Sequence, residues 1–457
     1  MTLFGTSGIR GPVGEDVTAE LALSVGRAIA SEGAGTIVVG RDPRDSGRML
    51  ADAATAGVRE CGADVVDLGV VATPTLARSV GWYDADAGIM VTASHNPAPD
   101  NGLKLWNPSG QAFDTDQRAA MEARIEAGEY ALRPWDELGE RSFEDAATAR
   151  HVDELVAAIQ TGDKFERSLT GRDENGPLSG LSVAVDLGNG AGGLTVDALS
   201  ALGAHVTTLN AQPDGRFPGR PSEPTGENCR ALCEFVASTD ADLGIAHDGD
   251  ADRMRAVTES GRFIQGDVQL ALFARSVVDE GMRVAAPVNI SLAVDDELAA
   301  RGASLVRTRV GDVFVAERAT ESDVVFGGES SGAWIWPEET LCPDGPLAAC
   351  KLATLAAESG SLDALVSEIE SYPLRRGSVE LDDKYGVMDR VEEAIVAEYD
   401  DDRLTTIDGV HVVFDDGWFL IRASGTQPIV RLTAEARSEQ RADELLDRAA
   451  AFVERAR

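Results

Sequence analysis

Apolar and polar positions along the chain spell out the same module three times. A short apolar strand comes first: TIVVG (36–40), SVAVDLG (182–188) and VAAPVNI (284–290). An Ala/Leu-rich helix follows, then a Gly-Ala pair and a second strand, GADVVDLG (62–69), GAHVTTLN (203–210) and GASLVRTRVG (302–311). A strand, a crossover of about a dozen residues and another strand predicts a βαβ unit with parallel pairing. The spacing between copies varies, which excludes a fixed-period solenoid.

Each module then runs through an acidic lead-in and a further apolar strand into an abrupt polar loop. The three are DADAGIMVTASHNP (84–97), TDADLGIAHDGDADR (239–253) and ESDVVFGGESSG (321–332). Ligands of parallel α/β sheets bind beyond the carboxyl ends of strands, so each loop lies where such a sheet does chemistry. The alternation breaks after Tyr372-Pro373. A helix is predicted around 385–399, then strands in GVHVVFDDGWFLIRASG (409–425) with a hairpin turn at Asp415-Asp416-Gly417, then PIVRLTAEA (428–436) and a last helix. The fold class is therefore α/β: three related domains with mixed, mostly parallel sheets, plus a C-terminal α+β domain. The boundaries expected are 1–150, 151–255, 256–370 and 371–457, in line with a length of 457 residues.

Charge narrows the partners. The net charge is −37, from 78 acidic against 41 basic residues, and only four of the latter are lysines (Lys104, Lys164, Lys351, Lys384). The acids are spread over the whole chain, which makes nucleic acid and anionic membranes poor partners. A diffuse acidic, lysine-poor surface is what a protein working in molar salt carries, where the Debye length shrinks to about 3 Å, so a halophilic host is expected. No stretch reaches the roughly 20 apolar residues of a membrane span, and MTLFGTSGIRG lacks the features of a secretory signal. Five scattered cysteines, of which only Cys229 and Cys233 are close, read as reduced thiols, and a cytoplasmic location is expected.

Several loops carry chemistry. Ser94 follows an apolar strand and precedes Pro97, an exposed strand-end position for a nucleophile or phosphoryl carrier, or simply a turn serine. Asp248, Asp250 and Asp252 stand at i, i+2, i+4; in an extended segment they share one side, and such a cluster calls for Mg²⁺ or Ca²⁺ unless it is a solvated acidic loop. An EF-hand is excluded, because Arg253 occupies the position that must be glycine. Gly188, Gly190 and Gly193 have dinucleotide-loop spacing, but the strand where the ribose-binding acid belongs ends in Asn210. RASGT (422–426) gathers a guanidinium and two hydroxyls around a glycine, a combination suited to phosphate, as is GTSGIR (5–10) in a less specific way.

Taken in order, FGTSGIRG, TASHNP, DGDADR, GGESSG and RASGT, with FPGRPSEPTGEN (217–228), resemble the α-D-phosphohexomutases over essentially the whole chain. The resemblance implies four domains around one central cleft and interconversion of hexose 6- and 1-phosphates through phospho-Ser94 and a hexose 1,6-bisphosphate. It implies one Mg²⁺ per chain held by Ser94, Asp248, Asp250 and Asp252, with Arg10, His95, Lys104 and Arg253 as catalytic residues. Glu329, Ser331, Gly332 and Asp312 would bind the sugar, and Arg422, Ser424, Gly425 and Thr426 the phosphate that is not transferred. Ala333 and Asp312 stand where some members have histidine, which leaves the general base open between Lys104 and a metal-loop aspartate. FGTSGIRG with VGDV is more similar to the phosphoglucosamine mutase branch; a broad phosphomannomutase/phosphoglucomutase is the alternative, and a phosphatase or silent sugar-phosphate sensor the distant ones. The expected partners are small sugar phosphates, with the chain a monomer or homodimer.

Overall fold

The computed structural model describes residues 3–5, 8–161, 176–424 and 428–457. They form two compact units, Met1–Gly266 with Ser331–Val366, and Asp267–Ser330 with Ser367–Arg457.

The first unit holds two sheets. In the first, β1 (Ile9–Pro12), β2 (Thr36–Arg41), β3 (Asp64–Val70), β4 (Ala87–Val91), β5 (Asp100–Trp106) and β6 (Arg141–Phe143) are ordered β1-β5-β4-β2-β3-β6. The β2–β3, β2–β4 and β3–β6 pairs are parallel, while β5 runs antiparallel to both β4 and β1. The crossover between β2 and β3 is the helix Gly47–Glu60, as the strand–helix–strand pattern requires. The second sheet contains β7 (Ser182–Asp186), β8 (His205–Leu209), β9 (Leu243–His247) and β10 (Met254–Thr258), ordered β10-β9-β7-β8. Every residue of β4 and β9 is buried, because helices cover both faces of a parallel sheet, and this is why both read as unbroken apolar runs. The edge strand β8, HVTTL, is exposed at alternate or successive positions and is correspondingly polar.

In the second unit β11 (Arg283–Pro287), β12 (Ser304–Thr308) and β13 (Val324–Gly328) pair in parallel with β11 in the middle. The C-terminal region is a five-stranded antiparallel sheet of β15 (Leu374–Glu380), β16 (Leu404–Thr405), β17 (Val410–Phe414), β18 (Gly417–Ala423) and β19 (Ile429–Ala436), ordered β15-β19-β18-β17-β16. Helices Lys384–Val396 and Glu439–Ala456 pack their apolar residues on it, with Phe452, Val453 and Leu445 in a shared core. The short β14 (Trp334–Ile335) belongs to the first unit, where the Trp334 indole donates to the Met254 carbonyl at 2.9 Å. The described cysteines are all free. No described helix is long and apolar enough to cross a membrane.

Candidate active site

The loop after β4 places Ser94 at the strand end as expected but fully buried rather than exposed, with φ +51°, a left-handed conformation that a serine adopts only when its surroundings impose it. Its N–H donates to Thr92 Oγ1 at 2.8 Å, and Thr92 Oγ1 donates to Asp42 Oδ2 at 2.7 Å. Asp42 in turn accepts from Arg44 Nε at 3.0 Å. Arg44 is fully buried and spends its remaining donors on four carbonyls of the loop, those of Ser94, Asn96, Pro97 and Asp100, at 2.7–2.8 Å. Burial pushes the Asp42 carboxyl up to about 6 although Arg44 pulls it down. The Ser94 hydroxyl then has one direction to point: it donates to Asp248 Oδ2 at 2.7 Å, with Asp252 Oδ1 at 3.5 Å.

Strand β9 delivers the acidic loop. The expectation of an extended segment at 248–252 is corrected: the loop turns, with Ala251 at φ +57°. The three carboxylates nevertheless converge, each offering an oxygen within 4.8 Å of the others, and all are buried. Gly190 explains how the loop is held down. A Cβ there would lie 2.7 Å from the carbonyl oxygens of Asp248 and Gly249, so Gly190 serves close packing against this loop. From below, Arg220 donates to Asp186 Oδ2 at 2.7 Å and to the His247 carbonyl at 2.6 Å. Asp250 Oδ2 accepts from the Thr73 hydroxyl at 2.6 Å, while its Oδ1 is buried without a hydrogen-bond partner. Burial and then the charges of Asp252 and Asp250 push the Asp248 carboxyl well up. Burial alone would raise Asp252 too, but Lys104 and Arg253 outweigh it and hold that carboxyl below the ordinary range. An all-oxygen set of buried carboxylates with an orphaned oxygen and an acid driven toward neutrality fits a hard divalent cation such as Mg²⁺.

Cationic side chains line the same place. Lys104, on β5, is 3% exposed and bonds Asp252 Oδ2 at 2.5 Å, with Asp250 Oδ2 at 3.7 Å. Arg10, on β1, faces Gly102 in the register of β1 and β5. The Arg253 N–H donates to Asp248 Oδ1 at 3.2 Å. His95 Nδ1 lies 3.4 Å from Ser94 Oγ, and burial, then Arg253 and Arg10, push its pKa down to about 2, so the ring is neutral. Ala333 bridges Arg253 and the Gly332 carbonyl accepts from Met254 N at 2.9 Å, which ties Ser331–Ala333 to the strand leaving the acidic loop.

The remaining candidates lie in the second unit. Glu329 Oε1 accepts from the Gly311 N–H at 2.7 Å, beside Asp312, which opens the helix Asp312–Ala319. Arg422 is at the end of β18, and Ser424, buried just beyond, presents its carbonyl to the Lys384 ammonium. Gly425 and Thr426 lie outside the described residues. Sequence reasoning missed Arg44, Arg220 and Thr73. The signal available was two arginines next to prolines, in RDPRDS (41–46) and FPGRPSE (217–223), which only tertiary contacts mark as buried.

Comparison with known proteins agrees along the whole chain. Models of the phosphoglucomutase/phosphomannomutase family match in order: alpha/beta/alpha domain I over residues 1–131, domain II over 163–261, domain III over 265–372 and the C-terminal domain over 378–452. A Methanopyrus kandleri protein described as a probable phosphoglucosamine mutase is 45% identical, over 99% of this chain and 98% of its own. The crystal structure of a phosphoglucomutase/phosphomannomutase family protein from Burkholderia thailandensis is 30% identical with a TM-score of 0.86, covering 100% of this chain and 97% of that one. The Aspergillus fumigatus N-acetylphosphoglucosamine mutase, solved with GlcNAc-6P and magnesium, shares the fold at 17% identity and a TM-score of 0.60, over 99% of this chain and 96% of that one.

Proposed function

Because this chain belongs to the phosphoglucomutase/phosphomannomutase family of α-D-phosphohexomutases, we propose that it interconverts hexose 6- and 1-phosphates through phospho-Ser94, with glucosamine phosphate as the preferred substrate. The observation that carries the reading is the Ser94 hydroxyl 2.7 Å from Asp248 Oδ2, inside the buried aspartate cluster and beside Lys104. The sugar preference rests on the name of the 45% identical relative.

In this reading Asp248, Asp250 and Asp252 hold Mg²⁺ together with a phosphate oxygen on Ser94. The bound ion supplies charge neutralisation for the transferring phosphoryl group. The chain's own residues do the rest. The bond from Ser94 Oγ to phosphorus breaks as a sugar hydroxyl oxygen forms its bond to the same phosphorus, in line. A metal-loop aspartate takes the hydroxyl proton and Ser94 Oγ takes one up as it leaves, 2.7 Å from Asp248 Oδ2, while His95 stays neutral beside it and Lys104 and Arg253 hold positive charge against the phosphoryl oxygens. The hexose 1,6-bisphosphate then turns over and returns its other phosphate to Ser94. A phosphoserine and three aspartates bring nearly −5 to the site, so these cations are needed before a second phosphate can enter. Arg422, Ser424, Gly425 and Thr426 hold the phosphate that stays, and Glu329, Ser331, Gly332 and Asp312 the sugar hydroxyls.

The test is a mutase assay in molar KCl with Mg²⁺ and a trace of hexose bisphosphate. Glucosamine-6-phosphate, mannose-1-phosphate and glucose-1-phosphate are compared, with Ser94→Ala as control. Preferred turnover of glucosamine-6-phosphate is expected, lost in Ser94→Ala. Phosphate release without isomerisation, or activity surviving in Ser94→Ala, would overturn the mechanism.

A further inference from the structure

Within the second unit, the turn Ile407–Gly409 before β17 touches two places that the proposed function treats separately. Asp408 Oδ2 accepts a hydrogen bond from Arg422 Nη1 at 3.1 Å and another from the Val310 N–H at 3.0 Å. Arg309 Nε donates to the Ile407 carbonyl at 2.9 Å, so the turn and the 309–311 segment are joined twice. The next N–H along, that of Gly311, goes to Glu329 Oε1 at 2.7 Å. The turn lies against Arg422 itself. Gly409 has φ +77°, and a Cβ there would sit 2.3 Å from the Ile421 carbonyl oxygen and 2.9 Å from Arg422 Cα. That approach is available only to glycine.

We infer that Asp408 is a positioning residue that fixes Arg422 and the Val310–Gly311 turn in one arrangement, and so sets the phosphate-holding end against the sugar-holding Glu329. The inference rests on the roles proposed for Arg422 and Glu329. An arginine stem unrestrained by a partner samples many rotamers, and ordering it on binding costs affinity. Asp408 occupies one of five guanidinium N–H donors and leaves the fork to face a phosphate. Its second bond is to a backbone N–H, so the restraint extends to the turn whose other N–H orients Glu329. The same carboxylate thus makes the two ends of the bound sugar phosphate a single preorganised distance.

The experiment measures binding of glucosamine-6-phosphate by calorimetry, alongside kcat and KM, for the wild type, Asp408→Ala and Asp408→Asn. Asp408→Ala is expected to raise Kd and KM about tenfold while kcat falls less. Asp408→Asn, which keeps an acceptor for both N–H groups, is expected to restore them to within about threefold. In an Arg422→Lys background the effect of Asp408→Ala should largely vanish, a coupling that general loss of stability would not produce. Should Asp408→Ala not fold, Asp408→Ser is read in its place. Unchanged Kd in the alanine variant, equal damage in the asparagine variant, or full additivity with Arg422→Lys overturns the inference. A wild type that binds the sugar phosphate without isomerising it overturns the proposed function and leaves this test intact; a wild type that does not bind it overturns both.

Discussion

Arg44 Nη2 donates to the carbonyl oxygen of Ser94 at 2.8 Å, so the residue proposed to carry phosphate is held by its backbone while its hydroxyl stays available to the aspartate cluster. The same carbonyl accepts from Ser222 Oγ at 3.0 Å. Two segments far apart in sequence, 41–46 and 217–223, thereby close on one peptide unit of the loop.

Removing Arg44 leaves the fully buried Asp42 without its ion-pair partner and takes a donor from each of four carbonyls, of which those of Ser94 and Pro97 keep a second one, from Ser222 Oγ and Asp100 N. Arg44→Ala is expected to cost about 3–5 kcal/mol of stability. Arg44→Lys should recover part of that but not the activity, because three donors on a point charge cannot serve five acceptors in a plane. Urea unfolding and kcat measured on both variants check this; a lysine variant with wild-type kcat would show that the loop holds its shape without the fork.

Metal binding should be visible without any turnover. Three buried carboxylates repel one another, with Asp248 driven toward neutrality. Mg²⁺ at 100 times its dissociation constant is expected to stabilise the fold by about 2.7 kcal/mol. A thermal-shift titration reads this directly. Asp250→Asn, at the carboxylate with the orphaned oxygen, should abolish most of the shift, and a shift that survives would place the ion elsewhere.

Histidine burial predicts an acid limb of stability in the second unit. His411 is buried against Trp418, with ring centroids 5.2 Å apart and neither ring nitrogen partnered. Burial, with Arg307 adding to it, lowers its pKa to about 3 against about 6.5 unfolded. A base depressed by folding stabilises fully above pH 6.5, and that stability is lost as pH falls from 6.5 toward 3, where the unfolded chain binds a proton that the fold refuses. His411→Phe should therefore flatten the fall in Tm over this window. An unchanged slope would assign the acid limb to other groups.

What could be read in the sequence follows from where each signal is stored. Strands β4 and β9 and the loops after them were legible because burial on both faces writes an unbroken apolar run, and the loop begins where that run stops. The convergence of Asp248, Asp250 and Asp252 was legible as spacing, but its geometry was not, since it depends on the left-handed Ala251 and on Gly190 approaching from the turn after β7. The glycines of DLGNGAGG carried an ambiguous spacing for the same reason: a glycine needed beneath a loop looks like a glycine needed beneath a phosphate. Arg44 and Arg220 were invisible as site residues because an arginine's burial is decided by carbonyls 27 to 56 positions away.

Salt should stabilise this protein, and the sign can be argued from its charges. Exposed ion pairs, such as Arg216–Asp45, each contribute about 0–1 kcal/mol and are weakened by salt. If every one of the 41 basic residues were paired with an acid, 78 − 41 = 37 acids would still be unpaired. Their mutual repulsion is long-ranged at about 0.01 M salt, where the Debye length is about 30 Å, and almost gone at 1 M, where it is about 3 Å. Repulsion relieved among 37 excess charges outweighs the loss of weak surface pairs, so Tm is expected to climb steadily from dilute buffer to molar KCl, with unfolding on dialysis into low salt. The measurement is Tm against KCl at constant Mg²⁺, repeated with tetramethylammonium chloride to separate screening from specific potassium binding. A Tm that is flat or falls with salt would mean that the surface pairs dominate and that the acidic composition is no adaptation to salt.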